Sequence, residues 1–154
     1  MKMEKLKILN KKETEDILGL IKEQWDADMP IQYVYLMNTQ DRIYVTSRDV
    51  FNLDLDKLKI NSVGMYFGEI LKGNQLRLSI EGSQLAGPLS KKDVVDLDDE
   101  EARKWLRGLD LDIQLESKGF VLVRHGRDFL GCGKSMGDKI LNYVPKARRV
   151  TSSD

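Results

Sequence analysis

Cysteine and histidine are almost absent from this 154-residue chain, which contains one of each, Cys132 and His125. A single cysteine excludes an intramolecular disulfide framework, and the two residues are too few for a zinc site made of cysteine and histidine. No apolar run approaches the roughly 18 residues of a membrane span, and the N-terminus lacks the continuous hydrophobic stretch of a signal peptide. We therefore expect a folded cytoplasmic protein with no metal and no membrane association.

Charge is balanced over the whole chain but not along it. The sequence has 25 Lys and Arg against 25 Asp and Glu. Residues 118–154 hold 8 basic and 3 acidic residues, a net charge of +5, whereas residues 1–117 hold 17 and 22, a net charge of −5. A basic end indicates a surface that binds a polyanion, with nucleic acid as the leading candidate. Ordinary solubilising charge would give the same count and stays open as an alternative.

Motifs for catalysis are missing from the sequence. It contains no G-x-G-x-x-G and no G-x-S-x-G. Residues 131–135 end in Gly-Lys-Ser, but Asp128 stands where a phosphate-binding loop requires its first glycine. No partner nucleophile is evident for His125, and Cys132 between two glycines indicates a small buried residue. We expect no catalytic residue and no cofactor.

Two amphipathic helices are predicted. The first covers about residues 11–26, where apolar residues recur at helical spacing up to Trp25. The second begins after Asp98, a residue that can cap a helix, and Gly108 lies where a C-terminal glycine belongs. Trp25 and Trp105 lie on the apolar stripes of these helices, so we expect both to be buried.

Short strands account for most of the remaining chain. Alternating and β-branched runs predict hairpins and further strands at residues 31–38 and 42–47, 63–71 and 76–81, and 120–124, 129–134 and 139–144. Residues 48–60 fit neither period, and we predict a short helix and a loop there. This order predicts an α+β fold, with a small N-terminal α/β domain followed by a mixed β-barrel.

The last third of the chain resembles a known RNA-binding module. A strand of the form L-G-x-G-K is matched by Leu130, Gly131, Gly133 and Lys134. A closing segment N-x-x-P-K-x-x-R is matched by Asn142, Pro145, Lys146 and Arg149. Both elements are similar to the C-terminal RNA-binding domain of Fmu/Sun/Nop-type RNA cytosine-5 methyltransferases. Residues 102–108 resemble the first helix and glycine turn of PUA domains, which bind RNA, and together the two resemblances cover about half the chain.

The resemblance implies RNA binding without methyl transfer. The methyltransferases carry a cofactor-binding Rossmann-like domain and catalytic cysteines ahead of this module, and residues 1–90 show neither. Those residues are similar in layout to the pre-PUA domains of archaeal and eukaryotic ribosome-biogenesis proteins. The resemblance thus implies a pre-PUA-like α/β domain at 1–73 and a PUA-like RNA-binding domain at 74–154.

We therefore expect a stand-alone, non-enzymatic protein that recognises structured rRNA or tRNA in RNA modification or ribosome biogenesis. Cations at strand ends and turns can neutralise phosphates on one basic rim, and Tyr143 offers a ring on which a base can stack. The candidate RNA-binding residues are Arg107, Gly108, Arg124, His125, Arg127, Lys134, Asn142, Lys146, Arg148 and Arg149.

Two alternatives from other classes remain. The chain could be an accessory subunit that binds an RNA-modifying enzyme or a ribosome-assembly factor, with the acidic N-terminal part facing the partner protein. It could instead be an enzyme that acts on a small molecule or a modified nucleotide in the cleft of the barrel. The second alternative requires a convergent acid and base, which the sequence does not reveal.

Overall fold

The computed structural model describes residues 6–30, 32–47 and 64–151. The helix and loop predicted at 48–60 lie outside the described residues. Within those ranges two β-sheets combine with the helices α1 (Lys11–Trp25), α2 (Ile80–Ala86) and α3 (Asp99–Leu106).

Five antiparallel strands form the N-terminal sheet, in the order of the sequence. They are β1 (Lys7–Ile8), β2 (Tyr33–Met37), β3 (Arg42–Ser47), β4 (Met65–Leu71) and β5 (Gln75–Leu78). Both predicted hairpins are confirmed, as β2–β3 and β4–β5. The β4–β5 turn contains Gly73 at φ 86° and Asn74 at φ 58°, positive angles that glycine and asparagine adopt most readily.

The helix α1 begins at a reciprocal cap. The side chain of Asn10 accepts a hydrogen bond from Glu13 N at 2.8 Å, and the Glu13 carboxylate accepts one from Asn10 N at 3.0 Å. Ile17, Ile21 and Trp25 follow at four-residue intervals and are buried. The predicted helix is therefore confirmed, with its apolar stripe in the core.

The helix α2 replaces the end of a predicted strand. Alternation predicted a strand as far as Glu81, but Ser79 instead caps a helix. Its Oγ accepts a hydrogen bond from Gly82 N at 2.9 Å and donates one to the Tyr66 carbonyl at 2.6 Å. Gly82 packs so closely on β4 that a side chain would collide with a strand carbonyl. Capping and this close approach outweigh the local alternation.

The C-terminal sheet is mixed. Its strands are β6 (Val94–Asp96), β7 (Gly119–His125), β8 (Asp128–Ser135) and β9 (Ile140–Leu141). The strand β6 runs parallel to β7, and the other neighbours are antiparallel. The sheet curls into a half-barrel, and a bridge between Leu111 and Ile140 extends it. The predicted α+β class with a mixed C-terminal sheet is confirmed, whereas β6 was not predicted because three residues are too few to reveal a period.

The helix α3 has the predicted ends. The Asp98 side chain accepts a hydrogen bond from Glu101 N at 2.8 Å, and Trp105 is completely buried. Arg107 follows the last turn, and Gly108 has φ 88°. That conformation favours glycine, as the sequence predicted.

The strand β9 is shorter than predicted and covers two residues of the expected strand at 139–144. Beyond it, Asn142 provides the hydrogen bonds. Its N–H donates to Asp110 Oδ1 at 2.8 Å, and its Oδ1 accepts from Val144 N at 2.7 Å. These side-chain bonds replace the sheet ladder and end the strand.

One hydrophobic cluster joins the two sheets, and it contains Trp25 and Phe67 together with Phe120 of β7. Trp25 Nε1 donates to the Phe120 carbonyl at 3.2 Å. A second cluster surrounds Trp105 between α3 and the C-terminal sheet. The predicted domain boundary between residues 73 and 74 falls in the β4–β5 turn, so the residues on its two sides pair in the same sheet.

Candidate nucleic-acid interface

Most of the candidate residues gather at the two ends of α3. At one end the β7–β8 turn approaches the first turn of the helix, and at the other end the C-terminal segment folds back onto the last turn. The eight residues of α3 span about 12 Å. The cations expected on one rim therefore fall into two separate groups.

The helix-end group consists of Arg107, Gly108, Lys146 and Arg149. The Arg149 side chain lies across Gly108, where any Cβ would collide with it. Its Nε donates to the Val144 carbonyl at 3.1 Å, and the next backbone N–H donates to the carbonyl of residue 106 at 2.8 Å. These contacts hold the C-terminal segment against the end of α3.

The cations of the helix-end group are open to solvent. Arg107 and Lys146 are exposed and have no acidic partner within ion-pair distance among the described residues. Arg149 is half-buried. The C-terminal end of a helix favours positive charge, which stabilises this arrangement. Exposed cations without internal partners are available to bind phosphate.

Asn142, a further candidate, uses its side chain for hydrogen bonds within the protein, near the end of α3. Its Nδ2 donates to the Trp105 carbonyl at 2.9 Å and to the Leu109 carbonyl at 3.0 Å. Its Oδ1 accepts from Val144 N, so both amide hydrogens and the carbonyl oxygen are used within the protein. We therefore leave Asn142 out of the proposed RNA contacts.

The turn group consists of Arg124, His125 and Arg127. Arg124 forms a two-point ion pair with Asp96, with Nε–Oδ1 at 2.6 Å and Nη2–Oδ2 at 3.1 Å, and His125 Nε2 lies 2.7 Å from Asp99 Oδ1. Hydrogen bonds from Arg124 and His125 lower the pKa of Asp96 and Asp99, respectively. Only Arg127 in this group is exposed without an ion pair to any described residue.

The two remaining candidates also have internal partners. Arg148 Nη1 forms an ion pair with the carboxylate of Glu81 in α2. Lys134 Nζ lies over the ring of Phe120, 5.8 Å from its centroid. Both side chains therefore make contacts within the protein, which leaves them less available to bind RNA.

Arg77 is a cation that the sequence analysis did not select. Its Cζ lies 4.7 Å from the centroid of the Tyr143 ring, and Tyr143 is 36% exposed. Arg77 occupies a polar position of an alternating strand, as many solvent-facing residues do. Only the tertiary structure brings it to Tyr143, so no local signal could have identified it.

Three features bear on the chemistry that the described residues could support. They contain no group of three or more His, Cys, Asp or Glu side chains that could hold a metal ion. Cys132 is 4% exposed, and burial raises the pKa of its thiol to about 12, so the buried position predicted for it is confirmed. Residues 131–135 lie within β8 and do not form a phosphate-binding loop. Among the described helices, none is long and apolar enough to cross a bilayer.

Curated relatives match much of the chain at low identity. Each is a ribosomal RNA small subunit methyltransferase F. The protein of Vibrio vulnificus (strain YJ016) is 32% identical over 93 residues, which are 60% of this chain and 19% of that protein. The protein of Aeromonas salmonicida (strain A449) is 29% identical over 136 residues, 88% of this chain and 28% of that protein. The protein of Shewanella baltica (strain OS195) is 27% identical over 135 residues, which are 82% of this chain and 27% of that protein.

The chain thus spans between about a fifth and under a third of the length of these relatives. A family model matches part of the chain, residues 92–150, and describes the PUA domain of methyltransferase RsmF. The matched segment runs from the residues before β6 to the end of the helix-end group. Residues 92–150 are therefore a PUA domain that resembles those of the Fmu/Sun-type RNA methyltransferases.

Proposed function

We propose that this protein binds structured RNA through the helix-end group and acts in the modification of ribosomal RNA. The observation that carries the proposal is the set of cations around Gly108, within the segment that matches a PUA domain. Arg107 and Lys146 are exposed, and Arg149 is oriented by its bond to the Val144 carbonyl. Such cations bind phosphates by charge and geometry without reading sequence.

The turn group adds a second point of contact about 12 Å away along α3. Only Arg127 in that group has no ion pair with a described residue, so we expect it to contribute less than the helix-end group. Two contact points on one rigid helix would fix the direction of an RNA backbone across the domain.

Salt dependence tests the proposal. If about 3–5 phosphates are neutralised, log K against log salt should have a slope of about −2 to −3.5 for single-stranded RNA. Replacing Arg107 and Lys146 together by Ala should make that slope shallower by about 1.4 and weaken binding to all sequences. Fluorescence anisotropy over a salt series measures both quantities.

The matched control is the double variant Lys11→Ala and Lys12→Ala. These lysines are exposed in the first turn of α1, and neither has an ion pair with a described residue. The control should leave the slope unchanged. Equal effects of the two double variants would indicate diffuse attraction and contradict a phosphate site at the helix-end group.

The proposal extends to the catalysis, the RNA substrate and the cellular location of the protein. We propose a non-enzymatic protein of the cytoplasm that acts on rRNA or tRNA, in RNA modification or ribosome biogenesis, and uses no cofactor. Its only thiol is buried and protonated, which supports the absence of a cysteine nucleophile. Methyl transfer from S-adenosylmethionine to RNA by the purified chain, lost in Cys132→Ala, would refute this part.

A groove beside α1 favours the second candidate function, an accessory subunit that binds an RNA-modifying enzyme or a ribosome-assembly factor. The groove has a volume of about 660 Å³. Its acidic lining residues are Glu13, Glu15, Asp16, Glu23 and Asp41, and its apolar ones are Leu9, Ile17, Leu20, Met37 and Ile70. Acidic walls repel RNA, but an apolar floor with an acidic border suits a basic amphipathic segment of a protein.

An affinity capture with and without nuclease separates the two functions. A protein that binds this chain directly should still be captured after the RNA is digested. The double variant Asp16→Lys and Glu23→Lys should no longer capture that protein but should keep its affinity for RNA. Loss of every captured protein after nuclease treatment would leave RNA binding as the function of the chain.

A further inference from the structure

A small pocket lies where α2, β8, α3 and the segment after β9 meet. Its volume is about 130 Å³. The lining residues that matter here are Arg77, Ile80, Trp105, Gly131, Tyr143 and Arg148. It is distinct from the helix-end group, because none of the four residues of that group lines it.

Trp105 brings an unsatisfied donor to the wall of this pocket. The residue is completely buried, and its indole Nε1–H has no acceptor among the described residues. A Cβ built on Gly131 would lie 3.4 Å from Nε1 and 3.8 Å from Ile80, so the bare glycine leaves space beside the donor. The indole of Trp25, in contrast, donates to a backbone carbonyl. A buried donor without an acceptor is unfavourable, and the space beside Gly131 gives this one room for an acceptor that a ligand could supply.

The strand that forms this wall is irregular at the same point. Val123 pairs with Gly131 and Arg124 pairs with Phe129, so Leu130 has no partner on β7. Gly131 itself has φ 151°, a conformation that favours glycine. Bulges of this kind open a strand locally and occur often beside binding sites.

Aromatic and cationic groups complete the pocket. Tyr143 presents a partly exposed ring, with the Arg77 guanidinium 4.7 Å from its centroid. Arg148 is fixed by its ion pair with Glu81, which also lines the pocket. The flat ring of Tyr143 and the guanidinium of Arg77 match the stacking and phosphate contacts that proteins use for single nucleotides.

We propose that this pocket binds one unpaired pyrimidine of the RNA. A carbonyl oxygen of the base accepts the hydrogen bond of Trp105 Nε1, the base lies against Tyr143, and Arg77 contacts its phosphate. A volume of about 130 Å³ suits a small ligand such as a single six-membered ring. Uracil and cytosine both carry the O2 carbonyl that the donor requires. This inference rests on the proposed RNA-binding function.

The two indole N–H groups allow a direct test by NMR. We would titrate the ¹⁵N-labelled full chain with a short oligouridylate and, as the matched probe, an abasic oligonucleotide of the same length and charge. The Trp105 indole proton should move downfield with oligouridylate and stay in place with the abasic probe, whereas that of Trp25 should stay in place with both. The single variants Trp25→Phe and Trp105→Phe assign the two signals.

The outcomes distinguish failure of the pocket proposal from failure of the proposed RNA-binding function. If backbone signals of the helix-end group move with both probes while the Trp105 indole does not, the pocket proposal fails and RNA binding stands. If no signal moves at low salt, both proposals fail. If uridine 5′-monophosphate binds as tightly as the oligonucleotide, the pocket serves free nucleotides and its assignment to RNA is wrong.

A variant at the pocket mouth provides a second measurement. Tyr143→Leu should weaken binding of oligouridylate about tenfold through lost stacking and leave binding of the abasic probe unchanged. Tyr33→Leu, in β2 of the N-terminal sheet, is the matched control and should change neither affinity. Equal losses for both probes in Tyr143→Leu would show that the ring does not contact a base.

Discussion

Gly108 and Arg149 illustrate how single residues determine the geometry of the proposed RNA interface. Gly108 adopts φ 88°, and the Arg149 side chain fills the space where a Cβ would lie. The glycine therefore serves two purposes, since it ends α3 and provides the surface on which the arginine rests. Gly126, in the β7–β8 turn, has φ 63° with no atom within 4 Å of a built Cβ.

This pair of glycines allows the two effects to be separated. Alanine at either position should cost about 1–2 kcal/mol for the left-handed backbone conformation. Only Gly108→Ala should also displace Arg149 and weaken RNA binding. Urea unfolding and anisotropy on both variants provide the comparison, and similar RNA affinities would show that the Arg149 position is unimportant for binding.

The burial of a single residue, Cys132, also makes the stability of the protein depend on pH. Burial raises the pKa of its thiol from 9.0 to about 12 in the folded state, and burial also raises the pKa of Tyr35. Between those values the unfolded chain loses the thiol proton while the folded chain keeps it, so stability is full below about pH 9 and falls as the pH rises toward 12.

The predicted change is therefore a decline in the free energy of unfolding across the alkaline range, with a smaller decline in Cys132→Ala. Urea titrations from about pH 8 to about pH 11 measure both slopes. Identical slopes in the two proteins would mean that the thiol is not shielded from solvent in the folded state.

Among the elements, those with strong local signals were predicted correctly. Both long helices begin with a capping residue followed three positions later by glutamate, and their apolar residues recur at helical spacing. The two hairpins have alternating strands and polar turns. In contrast, α2 and the early end of β9 depend on contacts with residues far away in sequence, such as Tyr66 and Asp110. Those contacts are invisible to a local pattern.

The cap of α2 gives a prediction at the scale of elements. Ser79 Oγ accepts from Gly82 N and donates to the Tyr66 carbonyl, so it joins the helix to β4. Ser79→Ala should reduce stability by about 0.5–2 kcal/mol.

Ser90 provides the control, because its Oγ makes one bond, to the Ala86 carbonyl at the other end of this region. We expect Ser90→Ala to cost less than Ser79→Ala in chemical unfolding. A reversed order would indicate that β4, and not the cap, determines where α2 begins.

At the scale of the whole molecule, the hydrophobic core that the two sheets share determines how the protein unfolds. The cluster around Trp25 contains residues of both sheets, and the Trp25 indole donates to a β7 carbonyl. The division at residues 73 and 74 stays a prediction. The cluster predicts that the two sheets unfold together, in one cooperative transition.

The two tryptophans report on the two clusters separately. In Trp105→Phe the fluorescence follows the cluster of Trp25, and in Trp25→Phe it follows the cluster of Trp105. Each fluorescence transition should coincide with the loss of far-ultraviolet circular dichroism of the same variant. Two separated transitions would mean independent domains.

The interface as a whole was only partly accessible from the sequence. The sequence singled out Lys146, Arg149 and Gly108, and the structure places Arg149 against Gly108 at the end of α3, while their contact with RNA stays a prediction. The neutralisation of Arg124 by Asp96 and of Arg148 by Glu81 could not be foreseen, because the partners are distant in sequence. Charge counting along a chain cannot distinguish a paired cation from a free one.

The burial of Cys132 also has a practical consequence. Because the only native thiol is enclosed, a cysteine introduced at the exposed neighbours Ala147 or Asp128 would be the single site that reacts with a maleimide near neutral pH. A spin label or fluorophore could thus be attached at either end of α3 without removing the native residue. Distances from each label to a marked end of the RNA would then reveal the direction in which the strand crosses the domain.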